Sequence, residues 1–343
     1  MDESTATPEP TAASESARIS WARLLVTVGG LGLAAYLVVA HGWSDVASAL
    51  QSVGAAGLAA ITLYHAVPTL LCGLAWWVLL RPHVREDWRL FAWLRWIRDG
   101  TDGVVPVLPA AGEFVATRIL RLRGTPFAGA GIIVDLTAEL LGQLLFAMLG
   151  FALLFEMHPA SRYLPWIALG IAIMTVQFVG FLVAQKRGFF RLVQRPLDWL
   201  KRRARAPESQ ADRTLQDQIL RLHAHRGAFL GSLVLHLIAW VVGAMEAWIG
   251  LRLMGHPLTV PQVLVIESLM AATRSFTFFI PLDAGVQEGA YVLVGSLVGL
   301  PAGLALAVSL LKRARDVVKG LPALLAWQLI ERRKIRRAAA AIN

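Results

Sequence analysis

Long apolar runs without lysine or arginine recur along this sequence and restrict what it can fold into. They lie at residues 24–40, 55–80, 128–155, 164–184 and 228–251. Each is close to or longer than the roughly 20 residues that a helix needs to cross a bilayer. Only helices and closed barrels satisfy their backbone polar groups in lipid, and runs of this length favour helices. The pattern predicts an all-α polytopic integral membrane protein.

The composition excludes other classes of protein. With 16% charged residues, against roughly 25% in soluble domains, the chain has too few charges to cover a water-facing surface. Its 56% hydrophobic residues exclude a disordered chain, and its single cysteine, Cys72, excludes an internal disulfide framework. The sequence has no P-loop, no HExxH, no GxSxG and no Cys/His metal spacing. We therefore predict no enzyme activity, no metal and no cofactor.

The positions of the basic residues predict the orientation in the membrane. Of the 33 lysines and arginines, 26 lie in segments 18–23, 81–98, 118–123, 186–226 and 332–337. Basic clusters also occur in nucleic-acid-binding proteins, but here they alternate with apolar runs, as the positive-inside rule requires of cytoplasmic segments. We expect both termini and the loop at 186–226 to be cytoplasmic, residues 41–52 to form an external loop, and no nucleic acid to bind.

Two further apolar stretches, at 89–123 and 263–300, contain glycine and proline where a continuous helix would be weakened. The predicted breaks are Pro106, Pro109, Gly112, Pro281 and Gly285. Both ends of the first stretch are basic, so the chain enters and leaves on the same side of the membrane. We expect two re-entrant hairpins in which residues 99–112 and 281–288 are non-helical and face a shared internal cavity.

The same order of segments occurs twice along the chain. Three spans with a hairpin before the third are followed by the same order again, ending in a span at 302–330. The matching residues are His65, Trp77 and Arg81, which have the same spacing as His236, Trp248 and Arg252. This pattern predicts about six transmembrane helices and two hairpins in an inverted-topology repeat, as in many secondary transporters. The predicted parts are a disordered cytoplasmic tail at 1–17, a first repeat at 18–155, a second repeat at 156–331 and a basic cytoplasmic tail at 332–343.

Charged and polar side chains within the apolar segments are candidates for a transport pathway, because a charge there costs roughly 2.5–3.5 kcal/mol on insertion. The candidates are Arg98, Glu113, Asp135, Glu139, Gln143, Arg274, Asp283, Glu288, Lys312, Arg313, Arg315 and Asp316. They either neutralise one another between helices or line a polar cavity that receives a lipid headgroup. We expect Asp135 and Glu139 to face basic residues of the last span, namely Lys312, Arg313 or Arg315.

Five acidic and histidine residues have both a structural and a functional interpretation. Glu113 and Glu288 follow the predicted breaks, where they either cap a helix or belong to the site. His65 and His236 lie within spans, where they either bond a neighbouring helix or carry protons. Glu246 also lies within a span and has no evident partner in the sequence.

Several runs of the sequence resemble a known membrane family. They are WIRDGTDGVVPVLPAAGEFVATRILRLRG at 96–124, VDLTAELLGQ at 134–143, AMEAWIGLRLMGHP at 244–257, VIESLMAATRSFTFFIPLDAGVQEGAYVLVG at 265–295 and SLLKRARDVVKGLPALLAWQ at 309–328. They resemble the transmembrane, flippase-like region of lysylphosphatidylglycerol synthases and its stand-alone relatives, and look most like the hopanoid-biosynthesis-associated membrane proteins. The second hairpin reads PLDAG, so the acidic Asp283 departs from the turn expected there.

The resemblance implies a multi-pass protein of the bacterial inner (cytoplasmic) membrane that moves lipids. The implied substrates are hopanoid or related polyisoprenoid lipids, with anionic phospholipids as a further class. Aminoacyl transfer is not implied, because the residues after 331 are too few to form the soluble domain that performs it. Two alternatives stay open: a non-transporting scaffold for lipid-biosynthesis enzymes, and a membrane enzyme acting on a lipid headgroup. The oligomeric state, the direction of transport and its energy source are also open.

Overall fold

The computed structural model describes residues 43–104, 111–187, 210–277 and 285–340, together with Tyr36. All regular elements in these ranges are α-helices, and no strand occurs there. The helices are α1 (Trp43–Leu80), α2 (Trp88–Val104), α3 (Ala111–Leu122), α4 (Ala128–Met157), α5 (Leu164–Lys186), α6 (Gln210–Ala224), α7 (Arg226–Leu253), α8 (Val260–Thr277), α9 (Val286–Ser296) and α10 (Ala302–Ala340). The prediction of an all-α protein is confirmed for this part of the chain.

Four of the described helices are long and apolar enough to cross a membrane. They are Val46–Leu80 within α1, and the whole of α4, α5 and α7. These helices contain four of the predicted spans, so the protein is a multi-pass membrane protein. The predicted span at 24–40 lies outside the described residues except for Tyr36. The predicted last span lies in α10, which carries five charged side chains between Lys312 and Lys319 and is not among the four.

Helix α1 is broken at Gly54, which has φ 59° and ψ −174°. Glycine adopts this conformation without the steric cost that a side chain would add. The break separates the predicted span at 55–80 from a preceding helical arm, in which Val46, Ala49 and Val53 are buried in the core. Residues 43–52 are therefore helical rather than the loop expected from the sequence.

Helices α1 and α7 pack antiparallel along most of their length. Their close approaches pair Gly57 with Leu253, Ile61 with Gly250, Pro68 with Gly243 and Val78 with Gly231. Each of these four contacts has a glycine on one side, which lets the two helices come close together, as is common in membrane proteins. The pair also carries two matched cation–π contacts near its ends, with Arg81 over Trp77 at 5.8 Å and Arg252 over Trp248 at 4.0 Å.

Helices α2 and α3 form the first predicted hairpin, and here the prediction of non-helical backbone is partly wrong. Residues 99–104 and 111–112 are helical, while 105–110, with Pro106 and Pro109, lie outside the described residues. A Cβ at Gly100 would lie 2.4 Å from the Cβ of Ala323 in α10. A Cβ at Gly112 would lie 2.3 Å from the carbonyl oxygen of Arg98. Both glycines therefore serve close helix packing inside helices rather than breaking them.

The second predicted hairpin corresponds to α8 and α9. Residues 286–288 are helical, against expectation, and Gly285 precedes them with φ 74°. Pro281 and Asp283 lie outside the described residues. Helix α6 lies within the predicted loop at 186–226, and α10 continues through the predicted boundary of the C-terminal tail to Ala340.

Candidate functional site

The first buried group of charges lies where α2, α3, α4 and α7 meet. It is called here the first cluster and consists of Arg95, Arg98, Glu113, Asp135, Glu139 and His236. Its basis is the amphipathic pattern of α2, in which Phe91, Leu94 and Ile97 are buried in the apolar core while the arginines point toward α4. An apolar helix face and a charged face on the same short helix place two guanidinium groups inside the protein.

Each arginine of the first cluster makes several bonds to carboxylates. Arg95 donates from both terminal nitrogens to Glu139, at 2.8 and 2.6 Å. Arg98 donates to Glu113, Asp135 and Glu139, each at 3.0 Å. Bidentate pairs of this kind fix geometry as well as charge. Since the arginines and Asp135 are buried, removing one partner would leave an uncompensated charge, which costs about 3–5 kcal/mol.

His236 completes the first cluster from α7. Its Nε2 lies 3.0 Å from Oδ1 of Asp135, and the side chain is fully buried. Three possible metal-ligand atoms, one from each of Asp135, Glu139 and His236, lie within 4.8 Å of one another. Ligands of these types suit a divalent cation. Both carboxylates, however, already accept bonds from guanidinium groups that supply the positive charge. The geometry therefore supports an ion-paired site rather than a metal centre.

A second buried group of charges lies between α1, α7 and α10. It is called here the second cluster and consists of His65, Glu246, Arg315, Asp316 and Lys319. Arg315 donates to Glu246 and, at 2.9 Å, to Asp316. His65 lies 2.8 Å from Glu246 through Nδ1 and 3.1 Å from the ammonium of Lys319 through Nε2.

Two further ion pairs tie α10 to the second hairpin. Lys312 pairs with Glu267 of α8, and Glu267 also accepts a bond from the hydroxyl of Tyr291 at 2.8 Å. Arg313 donates to Glu288 of α9 at 2.5 and 3.0 Å. Glu288 also accepts the backbone N–H of Gly285 at 2.9 Å, so it caps α9 and pairs with a base at the same time. The interpretation of Glu288 as a helix cap is confirmed, and its role in a functional site stays a prediction.

The predicted pairing of α4 with α10 is wrong. Asp135 and Glu139 bond the two arginines of α2, whereas the bases of α10 bond Glu267, Glu288 and Glu246. The reason lies in the first hairpin. Because Arg95 and Arg98 lie on one face of helix α2, they reach the carboxylates of α4 and supply the bases that α10 was expected to supply.

The remaining predicted site residues lie in other surroundings. Gln143 donates to the carbonyl of Ala271 at 2.6 Å and so ties α4 to α8. Arg274 is half-buried and makes no ion pair with another described residue. Asp283, Pro281, Pro106 and Pro109 lie outside the described ranges, so their predicted roles stay predictions.

Sequence reasoning missed Arg95 and Glu267, and it missed the partners of Glu246. Arg95 lies one turn before Arg98 and Asp99, so a helical interpretation of the first hairpin would have revealed a charged face. Glu267 is an isolated acid within an apolar run, which by itself signals a functional or paired position. The partners of Glu246 could not be identified from the sequence, because His65 and Arg315 are distant from it along the chain.

The two clusters lie at different depths along α7. His236 belongs to the first cluster and Glu246 to the second, ten residues apart. At 1.5 Å per residue this separates them by about 15 Å, or half of a typical hydrocarbon core. Polar groups are thus placed at two successive depths inside an apolar bundle.

A comparison with known protein families finds a match over most of the chain. The family described as "Lysylphosphatidylglycerol synthase TM region" matches residues 20–321. No curated protein and no solved structure matches the chain.

Proposed function

The chain belongs to the lysylphosphatidylglycerol synthase transmembrane-region family, and from this premise we propose that it moves lipids with polar headgroups across a bacterial inner membrane. The observation that carries the proposal is the pair of charge clusters buried within apolar helices at two depths. A headgroup that crosses the bilayer needs polar contacts along its way, and the two clusters offer them in succession.

The energetic argument favours transport over a purely structural role. Each intramembrane charge costs roughly 2.5–3.5 kcal/mol on insertion, and ion pairing recovers only part of the cost. A scaffold for lipid-biosynthesis enzymes would gain nothing from this cost, since apolar side chains of similar volume would pack the same helices. A protein that guides a charged or hydroxylated headgroup needs the charges for its function.

The proposed architecture is six transmembrane helices and two hairpins in an inverted repeat, with both termini cytoplasmic. The matched Trp–Arg contacts of α1 and α7 support it, as does a pair of ion pairs at corresponding positions. Arg95 of α2 faces Asp135 of α4 at 4.0 Å, and Glu267 of α8 pairs with Lys312 of α10. Arg95 and Glu267 are 172 residues apart in the sequence, and Asp135 and Lys312 are 177 apart, which is the offset expected of the two halves.

The proposed substrate class is hopanoid or related polyisoprenoid lipids, which rests on the resemblance of the sequence runs. Anionic phospholipids are the competing class. Lipid analysis of separated inner and outer membranes in a deletion strain distinguishes them, because the transported class accumulates in the inner membrane when the protein is absent. Unchanged lipid distributions in both membranes would count for the scaffold.

A reconstituted system tests transport directly. The purified chain in vesicles is assayed for movement of headgroup-labelled lipids between leaflets, with Glu139→Gln compared with Glu156→Gln. Glu139 bonds both arginines of the first cluster, while Glu156 is exposed at the far end of the same helix. We expect Glu139→Gln to slow transport at least about tenfold, a change of roughly 1.4 kcal/mol in the barrier, and Glu156→Gln to leave it unchanged. Equal rates in the two variants would contradict the proposal.

A further inference from the structure

We propose that the second cluster is a proton-binding site, in which His65 passes a proton to Glu246 and thereby couples lipid movement to a proton gradient. The inference rests on the proposed transport function and adds its energy source. The first cluster does not carry it, because two of its three bases are arginines, which keep their protons in proteins, and the third, His236, is fully buried.

The geometry around His65 determines where the ring carries its hydrogen. Nδ1 lies 2.8 Å from a carboxylate oxygen of Glu246, which can only accept. Nε2 lies 3.1 Å from the ammonium of Lys319, which can only donate. The neutral imidazole therefore holds its hydrogen on Nδ1 and offers Nε2 as an acceptor. A terminal nitrogen of Arg315 also lies 2.8 Å from Nδ1 and donates to the same carboxylate oxygen of Glu246, so Nδ1 meets one donor and one acceptor, whereas Nε2 meets a donor only.

This arrangement permits a balanced proton transfer. Nε2 of His65 takes a proton from the ammonium of Lys319, and the resulting amine takes one from a hydronium ion of the aqueous phase near Asp316, which leaves neutral water. The imidazolium then passes its Nδ1 hydrogen to Glu246, which leaves a neutral ring with its hydrogen on Nε2. One proton has moved from the aqueous phase to Glu246, and only N–H and O–H bonds have formed or broken.

Protonation of Glu246 would loosen the contact between α7 and α10. Arg315 of α10 holds the carboxylate of Glu246 in α7, and this pair depends on the negative charge. The other carboxylate oxygen of Glu246 and Nε of Arg315 are buried without a hydrogen-bond partner among the described residues. These unsatisfied groups mark a place where a proton or a water is accommodated, since buried polar atoms normally have partners.

The proposed path begins beside a partly exposed side chain and ends at a buried one. The side chain of Asp316 is 34% exposed, Lys319 is 11% and His65 is 18% exposed, while Glu246 is 2% exposed. The titratable and charged groups that face the His65–Glu246 pair are Tyr64 of α1 and Lys312, Arg315, Asp316 and Lys319 of α10, with Tyr291 of α9 next to Glu246. His236 of the first cluster has no such path, because its side chain is fully buried and its Nε2 bonds Asp135.

The coupling is tested in vesicles of phosphatidylethanolamine and phosphatidylglycerol that carry a headgroup-labelled phosphatidylglycerol. For one proton per lipid, a gradient of about two pH units drives a leaflet ratio of roughly 100-fold. We expect this in the wild type and in the control His256→Gln, which alters an exposed histidine of the α7–α8 loop. In His65→Gln the probe should distribute equally between the leaflets. If the leaflet ratio of the labelled lipid in the wild type does not change with the pH gradient, the proposed coupling is wrong, although the proposed transport can still hold.

A second measurement does not depend on transport. Nitrogen NMR of the chain in nanodiscs, with its histidines isotope-labelled, reports the tautomer of the His65 ring. The signal of His65 is assigned with His65→Gln or, if that variant does not fold, with Lys319→Met. We expect a ring that carries its hydrogen on Nδ1 and gains a second hydrogen on acidification, and an altered response in Glu246→Gln. A Nε2–H ring at all pH values would overturn the proton site. If the labelled lipid does not move at all, the proposed function fails for that lipid and this measurement alone decides the proton site.

Discussion

The two buried clusters contain the same classes of residue but differ in which groups can change charge. In the first cluster two arginines of α2 hold two carboxylates of α4, with a bidentate pair between Arg95 and Glu139. In the second cluster a histidine and a lysine accompany the single arginine, Arg315, and His65 has a partner at each ring nitrogen. The first cluster also contains a histidine, His236, but its side chain is fully buried, so under the proposed proton path only the second cluster exchanges protons with water.

The two halves of the molecule also place charge with opposite polarity. In the first half the base lies on the hairpin helix and the acid on the following long helix, as in Arg95 and Asp135. In the second half the acid lies on the hairpin helix and the base on the long helix, as in Glu267 and Lys312. A pair keeps its attraction when both charges are exchanged, so packing is preserved while the electrostatic field around each hairpin differs.

Truncation of the central arginine of each cluster should give the largest difference in stability between the two clusters. Arg98→Ala leaves three carboxylates without their shared base and should destabilise the protein by about 3–5 kcal/mol. Arg315→Ala should cost less, about 1–3 kcal/mol, because Glu246 can then take a proton through His65. Thermal unfolding in detergent measures both, with the exposed Arg89→Ala of α2 as control. Equal losses at the two sites would remove the distinction between the clusters.

Exchange of the charges in the second-half pair tests the reversal of polarity. Glu267→Lys and Lys312→Glu should each reduce folded protein, because each places like charges together in a buried site. The double variant should recover stability, with a coupling energy of about 1–3 kcal/mol in a double-mutant cycle. Tyr291 donates to Glu267, and a lysine there cannot accept that bond, so recovery should be incomplete. A double variant as unstable as the sum of the singles would contradict the interpretation of this contact as an isolated pair.

A glycine in the first hairpin tests whether close packing holds the first cluster in place. Gly112→Ala should destabilise by about 1–2 kcal/mol, because overpacking against the carbonyl of Arg98 exceeds the gain of roughly 1 kcal/mol in helix propensity. The control is Gly170→Ala in α5, where an added methyl would meet no atom within 4 Å. Unfolding temperatures of both variants give the answer. A stabilised Gly112→Ala would show that the hairpin can move apart without cost.

A histidine outside the membrane gives the smallest effect and a baseline for both clusters. His83 stacks on Phe127 and meets the ring of His225 edge-on at 4.8 Å. Burial, with the nearby charges of His225 and Arg221, lowers the pKa of His83 below its ordinary 6.5. The unfolded chain therefore binds a proton at higher pH than the folded chain does, and stability present above pH about 6.5 declines as the pH falls below it. His83→Gln should lessen this decline in thermal unfolding, while the exposed His158→Gln should not.

Much of the candidate site could be predicted from the sequence, although its pairings could not. A charge within an apolar run is visible in one dimension, and so are the helix faces that carry it, which is why Asp135, Glu139 and Arg315 were predicted as site residues. The period of a helix says which residues share a face but not which helix meets that face. Arg95 was hidden by the glycines that follow it, since glycine permits close packing within a helix as well as ending one.

The sequence by itself determined the class of this protein, because runs of more than 20 apolar residues are stable only where lipid replaces water and the backbone bonds itself as helix. The tertiary structure decided which charges meet. Buried ion pairs form wherever packing brings opposite charges within reach, and Arg95 and Arg98 reach the carboxylates of α4 from one face of helix α2. Likewise His65, Glu246 and Arg315 come from three helices and meet only when α1, α7 and α10 pack together. The proton path proposed here therefore belongs to the fold and to no single segment of the chain.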